Sequence, residues 1–272
     1  MAGYKISAAG EIKLITFELL DRAGMVSHAF TTRLGGLSGG PYSSLNLALH
    51  VGDSPGLVLG NRRLASQALG AGLEDMVCGE QVHGDRVQVI TAADRGRGAS
   101  QYGDAIPGTD ALVTDCPGVL LASFYADCVP VLILDPVRRA VGLAHAGWKG
   151  TVKRIAAAAV RAMEQAFHSD PENLLAVIAP AIGHCCYEID RPVMQAIVQG
   201  GFDPGRCSSP AGDGRWRLDL PGMNREILAE AGVKRGSISL SGLCTACRPD
   251  LFFSYRGQSG ICGRMASLIM LK

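Results

Sequence analysis

Short apolar runs and one long amphipathic stretch dominate the pattern along the chain. Residues 119–126, 129–134 and 140–144 are almost uninterrupted apolar segments bounded by Gly, Pro or Asp, the signature of strands buried on both faces. Residues 86–91 alternate apolar and polar positions, as a strand with one wet face does. Further strands are expected over 13–20, 26–32 and 174–179. Val152, Ile155, Ala156, Ala159, Val160, Met163 and Phe167 fall on one continuous helical face and predict a helix with Thr151 as its cap. Residues 56–69 predict another, with Ser54 as N-cap and Pro55 at the first position, and 191–198 and 221–231 two more. Strands and helices alternate without a regular βαβ rhythm, so the expected class is α/β in the broad, α+β sense, with mixed sheets.

Nothing in this pattern divides the chain. There is no repeat, low-complexity tract or linker, and the most polar stretch, 92–109, reads as a long surface loop. A single domain over residues 1–272 is expected. Apolar residues make up 47% and charged residues 19%, enough for a substantial core and too few charges for disorder. With 26 Lys and Arg against 25 Asp and Glu, the net charge of +1 argues against a nucleic-acid footprint or a polybasic membrane surface. The apolar stretch 119–134 is broken by Asp127 and too short to span a bilayer. The first residues lack the apolar segment of a secretory signal, so a soluble cytoplasmic protein is expected.

The nine cysteines are odd in number and widely spread, which does not suit a disulfide framework; most are expected to be small buried residues. Cys244-Thr245-Ala246-Cys247 is the one closely spaced pair. With no matching pair nearby in sequence, and the vicinal Cys185-Cys186 poorly suited to chelation, local packing is the expectation.

Three positions lie where α/β folds place chemistry, at strand ends beside glycine-rich turns. His83 sits in a turn, Cys128 between two buried strands, and His145 at a strand end leading into Gly147-Trp148-Lys149-Gly150. Together they suit three protein ligands of zinc with an open fourth position. Cys128 with one histidine also suits a thiolate–imidazole nucleophile pair, and each residue alone suits a satisfied core position. Amides at Gly150, with Lys149, Arg33 and Arg256, are candidate anion contacts. The glycine patterns of dinucleotide and P-loop sites are absent.

The chain resembles the YfiH/YlmD family, also called the polyphenol oxidase or "multicopper laccase" domain family, whose mammalian member is FAMIN. The resemblance rests on Thr31-Thr32-Arg33 with Gly35-Gly36, Ser44-Leu45-Asn46-Leu47, Val51-Gly52-Asp53, Asn61-Arg62 and Gln81-Val82-His83-Gly84. It continues through Asp110-Ala111-Leu112-Val113-Thr114, Ala126-Asp127-Cys128-Val129-Pro130 and His145-Ala146-Gly147-Trp148-Lys149-Gly150. Later come Ala179-Pro180-Ala181-Ile182-Gly183, Cys186-Tyr187-Glu188, Cys244-Thr245 and Phe252-Phe253-Ser254-Tyr255-Arg256, so it spans about residues 24 to 270. One departure is Ile261-Cys262-Gly263-Arg264, where the family usually carries a Thr-Gly-Arg or similar.

The resemblance implies a four-layer α/β/β/α sandwich related to the deamidase domain of cytotoxic necrotizing factor. It implies a metal site, zinc or alternatively copper, on His83, Cys128 and His145, which also become the catalytic residues. It implies small-molecule partners: phosphorolysis of adenosine, inosine and methylthioadenosine with phosphate, and hydrolytic deamination of adenosine. Arg33, Asn46, Asp127, Lys149 and Arg256 are the expected substrate or phosphate contacts, with Asp127 or Glu80 as a proton shuttle. Some relatives are described as peptidoglycan editing factors, which would make Cys128 the nucleophile of an amidase and His145 its base. A full multicopper oxidase is disfavoured: after His83 and His145, the four remaining histidines are scattered along the sequence.

Overall fold

The computed structural model describes residues 3–272. Two six-stranded mixed sheets form its centre. The first has the spatial order β1 (Tyr4–Ala9), β2 (Ile12–Phe17), β3 (Val26–Thr31), β15 (Met265–Leu271), β7 (Leu120–Tyr125) and β4 (Met76–Cys78). The second runs β14 (Ile238–Leu240), β10 (Leu175–Ile178), β8 (Val129–Asp135), β9 (Ala140–Ala146), β6 (Ala111–Thr114) and β5 (Val87–Val89). A small antiparallel sheet joins β11 (Glu188–Ile189), β13 (Arg215–Leu218) and β12 (Ser208–Gly212). In the large sheets the β4–β7, β5–β6 and β10–β14 pairs are parallel and the others antiparallel. The helices are α1 (Glu18–Asp21), α2 (Pro55–Gln67), α3 (Trp148–Val152), α4 (Ile155–Phe167), α5 (Arg191–Gln199), α6 (Pro204–Cys207) and α7 (Leu220–Glu230).

Side-chain alternation along the strands builds the layers. On β8, Val131 and Ile133 join Ile155, Val160 and Met163 of α4 and Ile227 of α7 in one core. The intervening Leu132 and Leu134 point the other way and meet Leu121 of β7 and Ile269 of β15 between the sheets. Beyond them, Leu120 and Leu268 pack with Ala65 of α2. The result is the α/β/β/α stack. Each fully buried Val, Leu or Ile contributes about 1.5–3 kcal/mol, which is why strands with both faces covered read as nearly continuous apolar runs.

Several expectations need correction. The strand expected over 13–20 stops at Phe17, whose amide donates to His28 Nε2 at 2.9 Å, and Glu18–Asp21 turn into α1. The helix expected across 152–167 is two helices, because Arg154 adopts a left-handed φ of 62° between α3 and α4. Thr151 is therefore no cap; it lies inside α3 and its hydroxyl accepts from Asn224 Nδ2 at 3.0 Å. Ser54 occupies the N-cap position of α2 without a side-chain bond. The 92–109 segment is not a free surface loop, since buried Arg62 donates to the carbonyls of Gly98 and Ala99 at 2.7 Å each, and Ala99 and Ile106 are buried. Strands β1, β4, β6, β11, β12, β13, β14 and β15 lie outside the expected elements, although β15 is central to its sheet. Among the described residues, no helix is long and apolar enough to cross a membrane.

The cysteines also differ from expectation. All nine are free thiols, but only Cys78, Cys207 and Cys262 are buried. Cys244 and Cys247 do find partners: with Cys185 and Cys186 they form a group whose sulfur atoms all lie within 4.8 Å of one another. A β-bridge between Ala181 and Cys244 brings the two segments together, a pairing of distant residues that no local spacing announces.

Candidate active site

Three elements converge on one point between the sheets. His83 occupies the loop before β5 with a left-handed φ of 59°; Cys128 follows Asp127, at φ 90°, in the turn between β7 and β8; His145 stands on β9 opposite Pro130 of β8. Cys128 Sγ is 3.7 Å from His83 Nε2, and the two imidazole rings meet edge to face at 4.8 Å. The three donor atoms lie within 4.8 Å of one another.

Buried Asp110 sets this geometry. Its carboxylate accepts the amides of Val82, His83 and Gly84 at 3.1, 3.0 and 2.7 Å, which holds the His83 turn. It also pairs with His145 Nδ1 at 2.8 Å, leaving Nε2 for Cys128. Such a carboxylate behind an imidazole fixes its tautomer and orientation. Burial opposes charge on all three groups, and their mutual attraction overrides it. The Cys128 thiol is lowered to about 6, chiefly by His145, and His145 is raised to about 9 by Cys128 and Asp110. Asp110 is held below the usual carboxylate range, with burial opposed by its bond to His145.

The local backbone leaves room for an ion. A Cβ at Gly147 would come within 2.7 Å of His83 Cδ2 and 3.0 Å of Cys128 Sγ, so only glycine allows these side chains to converge. Two imidazoles and a low-pKa thiol, open on one side, form a donor set that suits zinc and also accepts copper.

The open side faces a cavity of about 510 Å³. Trp148, Tyr187 and Tyr255 give it aromatic walls, and Lys149, Arg256 and Arg264 line it as cations. Asp127 lines it too, and each of its oxygens accepts one bond: Thr245 Oγ1 donates to Oδ1 at 2.6 Å and the Arg256 amide to Oδ2 at 2.7 Å. Its carboxylate ties the Thr245 and Arg256 segments to the Cys128 turn. Glu80 lies outside the cavity and accepts the Gly108 amide.

Two further expected contacts are elsewhere. Arg33 lies outside the cavity lining, donates to the carbonyls of Ser43 and Pro249, and covers the Phe253 ring. Asn46 is fully buried, its amide bonded to Ala48 and Asp53. Its Oδ1 accepts the Arg264 amide at 2.9 Å, so Asn46 places a residue that does line the cavity. The Gly150 amide, a candidate anion contact, lies buried in the first turn of α3, which opens at Trp148. Sequence reading gave no role to Asp110 or Arg264, although both stand in its motif stretches. The partners of Asp110 are distant in the chain, as is the Asn46 side chain that holds the Arg264 amide.

The remaining histidines are dispersed. His50 lines the cavity, whereas His28 is buried beside Phe17, His168 ends α4, and His184 bonds Ser209. Among the described residues they form no second histidine cluster of the kind a three-copper centre needs.

Comparison with known proteins adds a family to this geometry. The profile described as multi-copper polyphenol oxidoreductase laccase matches residues 27–272. The purine nucleoside phosphorylase YlmD of Geobacillus stearothermophilus is 44% identical over 251 residues, covering 91% of this chain and 90% of that protein. The adenosine deaminase RL5, from an unknown prokaryotic organism, is 36% identical over 248 residues, covering 89% and 94%. The crystal structure of YfiH from Bacillus licheniformis superimposes with a TM-score of 0.94 at 41% identity, covering both chains completely.

Proposed function

The chain belongs to the multi-copper polyphenol oxidoreductase laccase family, and from that premise we propose that it is a zinc-dependent purine nucleoside enzyme. In this reading it carries out phosphorolysis of adenosine, inosine and methylthioadenosine, and hydrolytic deamination of adenosine. The whole chain works as one domain in the cytoplasm. One relative named a purine nucleoside phosphorylase and another named an adenosine deaminase, each matching over most of this length, support the reading.

The observation that carries it is the shared cavity. Its volume of about 510 Å³ is in the usual range for a small-molecule site, with His83, Cys128 and His145 at one end and three cationic side chains around it. In phosphorolysis a phosphate oxygen bonds to C1′ of the ribose as the bond to N9 of the base breaks. Lys149, Arg256 and Arg264 supply positive charge for the phosphate, and Trp148, Tyr187 and Tyr255 offer ring faces to the purine. In deamination water adds at C6 and ammonia leaves. When bound by His83, Cys128 and His145, zinc supplies Lewis acidity at that end of the cavity; copper suits the same donors. Asp110 keeps the proton on His145 Nδ1 so that Nε2 can act as a donor atom.

A second reading rests on the lowered thiol. Cys128, His145 and Asp110 also have the arrangement of a nucleophile, its base and an orienting carboxylate. Cys128 Sγ would attack an amide carbonyl in a peptidoglycan precursor, His145 would give its proton to the departing amine, and water would release the acid.

Purified protein incubated with adenosine, with and without phosphate and a chelator, and analysed by chromatography of the bases and nucleosides, separates these readings. Adenine with ribose 1-phosphate, or inosine, is expected, and is lost on chelation and in His83→Ala. No turnover with metal verified at the site overturns the nucleoside reading. Amide hydrolysis that resists chelation but not thiol alkylation selects the second.

A further inference from the structure

We propose that Cys185, Cys186, Cys244 and Cys247 form a second metal site, a tetrathiolate centre for one zinc ion that fastens the wall of the cavity. All four sulfur atoms lie within 4.8 Å of one another, with Cys185–Cys247 at 3.5 Å and Cys186–Cys247 at 3.4 Å. Four thiolates about 2.3 Å from a tetrahedral zinc stand about 3.8 Å apart, inside that range. A multi-iron cluster would spread its cysteines more widely, so the spacing suits a single ion. Thiolate ligands also select a soft acceptor such as zinc over hard, oxygen-seeking cations.

The backbone is arranged for this role. The Gly183 amide donates to Cys244 Sγ at 3.3 Å, and donation to a sulfur favours its thiolate form. A Cβ at Gly183 would stand 3.3 Å from Cys185 Sγ and 3.3 Å from Cys244 Cβ, tighter than side chains usually pack, so glycine here eases the close approach of the two segments.

The consequence lies at the active site. The Cys185-Cys186 segment is flanked by Ile182 and Tyr187, both cavity residues. Within the other segment, Thr245 donates its amide to Ala181 O and its hydroxyl to Asp127, the residue before Cys128. Ile182 in turn donates its amide to Asp127 O. An ion joining the two segments therefore holds the Cys128 turn through the two hydrogen bonds that reach Asp127, without touching substrate.

Metal counting on the intact protein tests this. Purified under reducing conditions with zinc and desalted, the wild type should carry two zinc ions per chain by elemental analysis and native mass spectrometry. The pair His83→Ala, Cys128→Ala should keep one, and the pair Cys185→Ser, Cys247→Ser should lose one. Substitution with cobalt should give the intense visible and near-ultraviolet bands of a tetrahedral tetrathiolate, retained in the first pair and absent from the second. A zinc count that is the same in the wild type and in the Cys185→Ser, Cys247→Ser pair overturns the proposal, as does an intact mass showing two disulfides in place of the metal. So do tetrathiolate cobalt bands that persist without Cys185 and Cys247. The count is independent of turnover, so a protein inactive on nucleosides would still reveal the site.

Discussion

The two sulfur-containing sites differ in what surrounds them. At the cavity, two histidines and one cysteine are backed by Asp110 and leave one side open to a space of about 510 Å³. At the rim, four cysteines from two turns close on one another, with a backbone amide rather than a carboxylate behind them. Structural zinc sites fill all four positions with protein, whereas catalytic sites keep one for reactants. A mixed, open donor set serves chemistry, and an all-thiolate, closed set serves rigidity.

That contrast breaks if the two sites respond alike to substitution. The largest effect belongs to the cavity: His83→Ala or Cys128→Ala should lower nucleoside turnover by about 10³-fold, the order seen when a group acting on the reacting atoms is removed. Thermal melts should move by only a few degrees, and a collapse of stability parallel to activity would make this site structural as well. At the rim the order reverses. Cys185→Ser with Cys247→Ser should remove several kcal/mol of stability, seen in urea unfolding and as a lower melting temperature. A melt unchanged from wild type would mean that the four thiols hold nothing together.

Smaller changes sharpen the comparison. Asp110→Asn should cost about 10–100-fold in zinc affinity at the cavity, measured by chelator competition, as removal of the hydrogen-bond partner behind a metal-ligating histidine does. The rim site should keep its zinc in the same variant. The pH dependence follows from the charge states of the metal-free cavity. Cys128 titrates at about 6 and His145 at about 9, so between these values the thiolate is ready while His145 must release its proton to become a ligand. Zinc affinity there should rise by about tenfold per pH unit from 6 to 9 and level off above. A flat profile from pH 7 to 8.5 would mean that His145 is already neutral in the free protein.

The amino-acid sequence by itself determined much of this protein. The two-sided apolar runs of β8 and β9 were legible because a strand covered on both faces favours apolar residues at nearly every position. The amphipathic face of α4 was legible for the same local reason, as were the motif stretches that contain His83, Cys128 and His145. Tertiary structure decided the rest. The helical pattern runs without a break across Arg154, yet the chain turns there into a left-handed residue. Met265–Leu271 is as apolar as β8, but its place between β3 and β7 is a matter of long-range pairing. Asp110 meets His145 across 35 residues, and Cys185 meets Cys247 across 62. Hydrophobic periodicity records which way each residue faces. Which distant residue it then meets is set by how the sheets and turns pack, and that information is not carried by spacing along the chain.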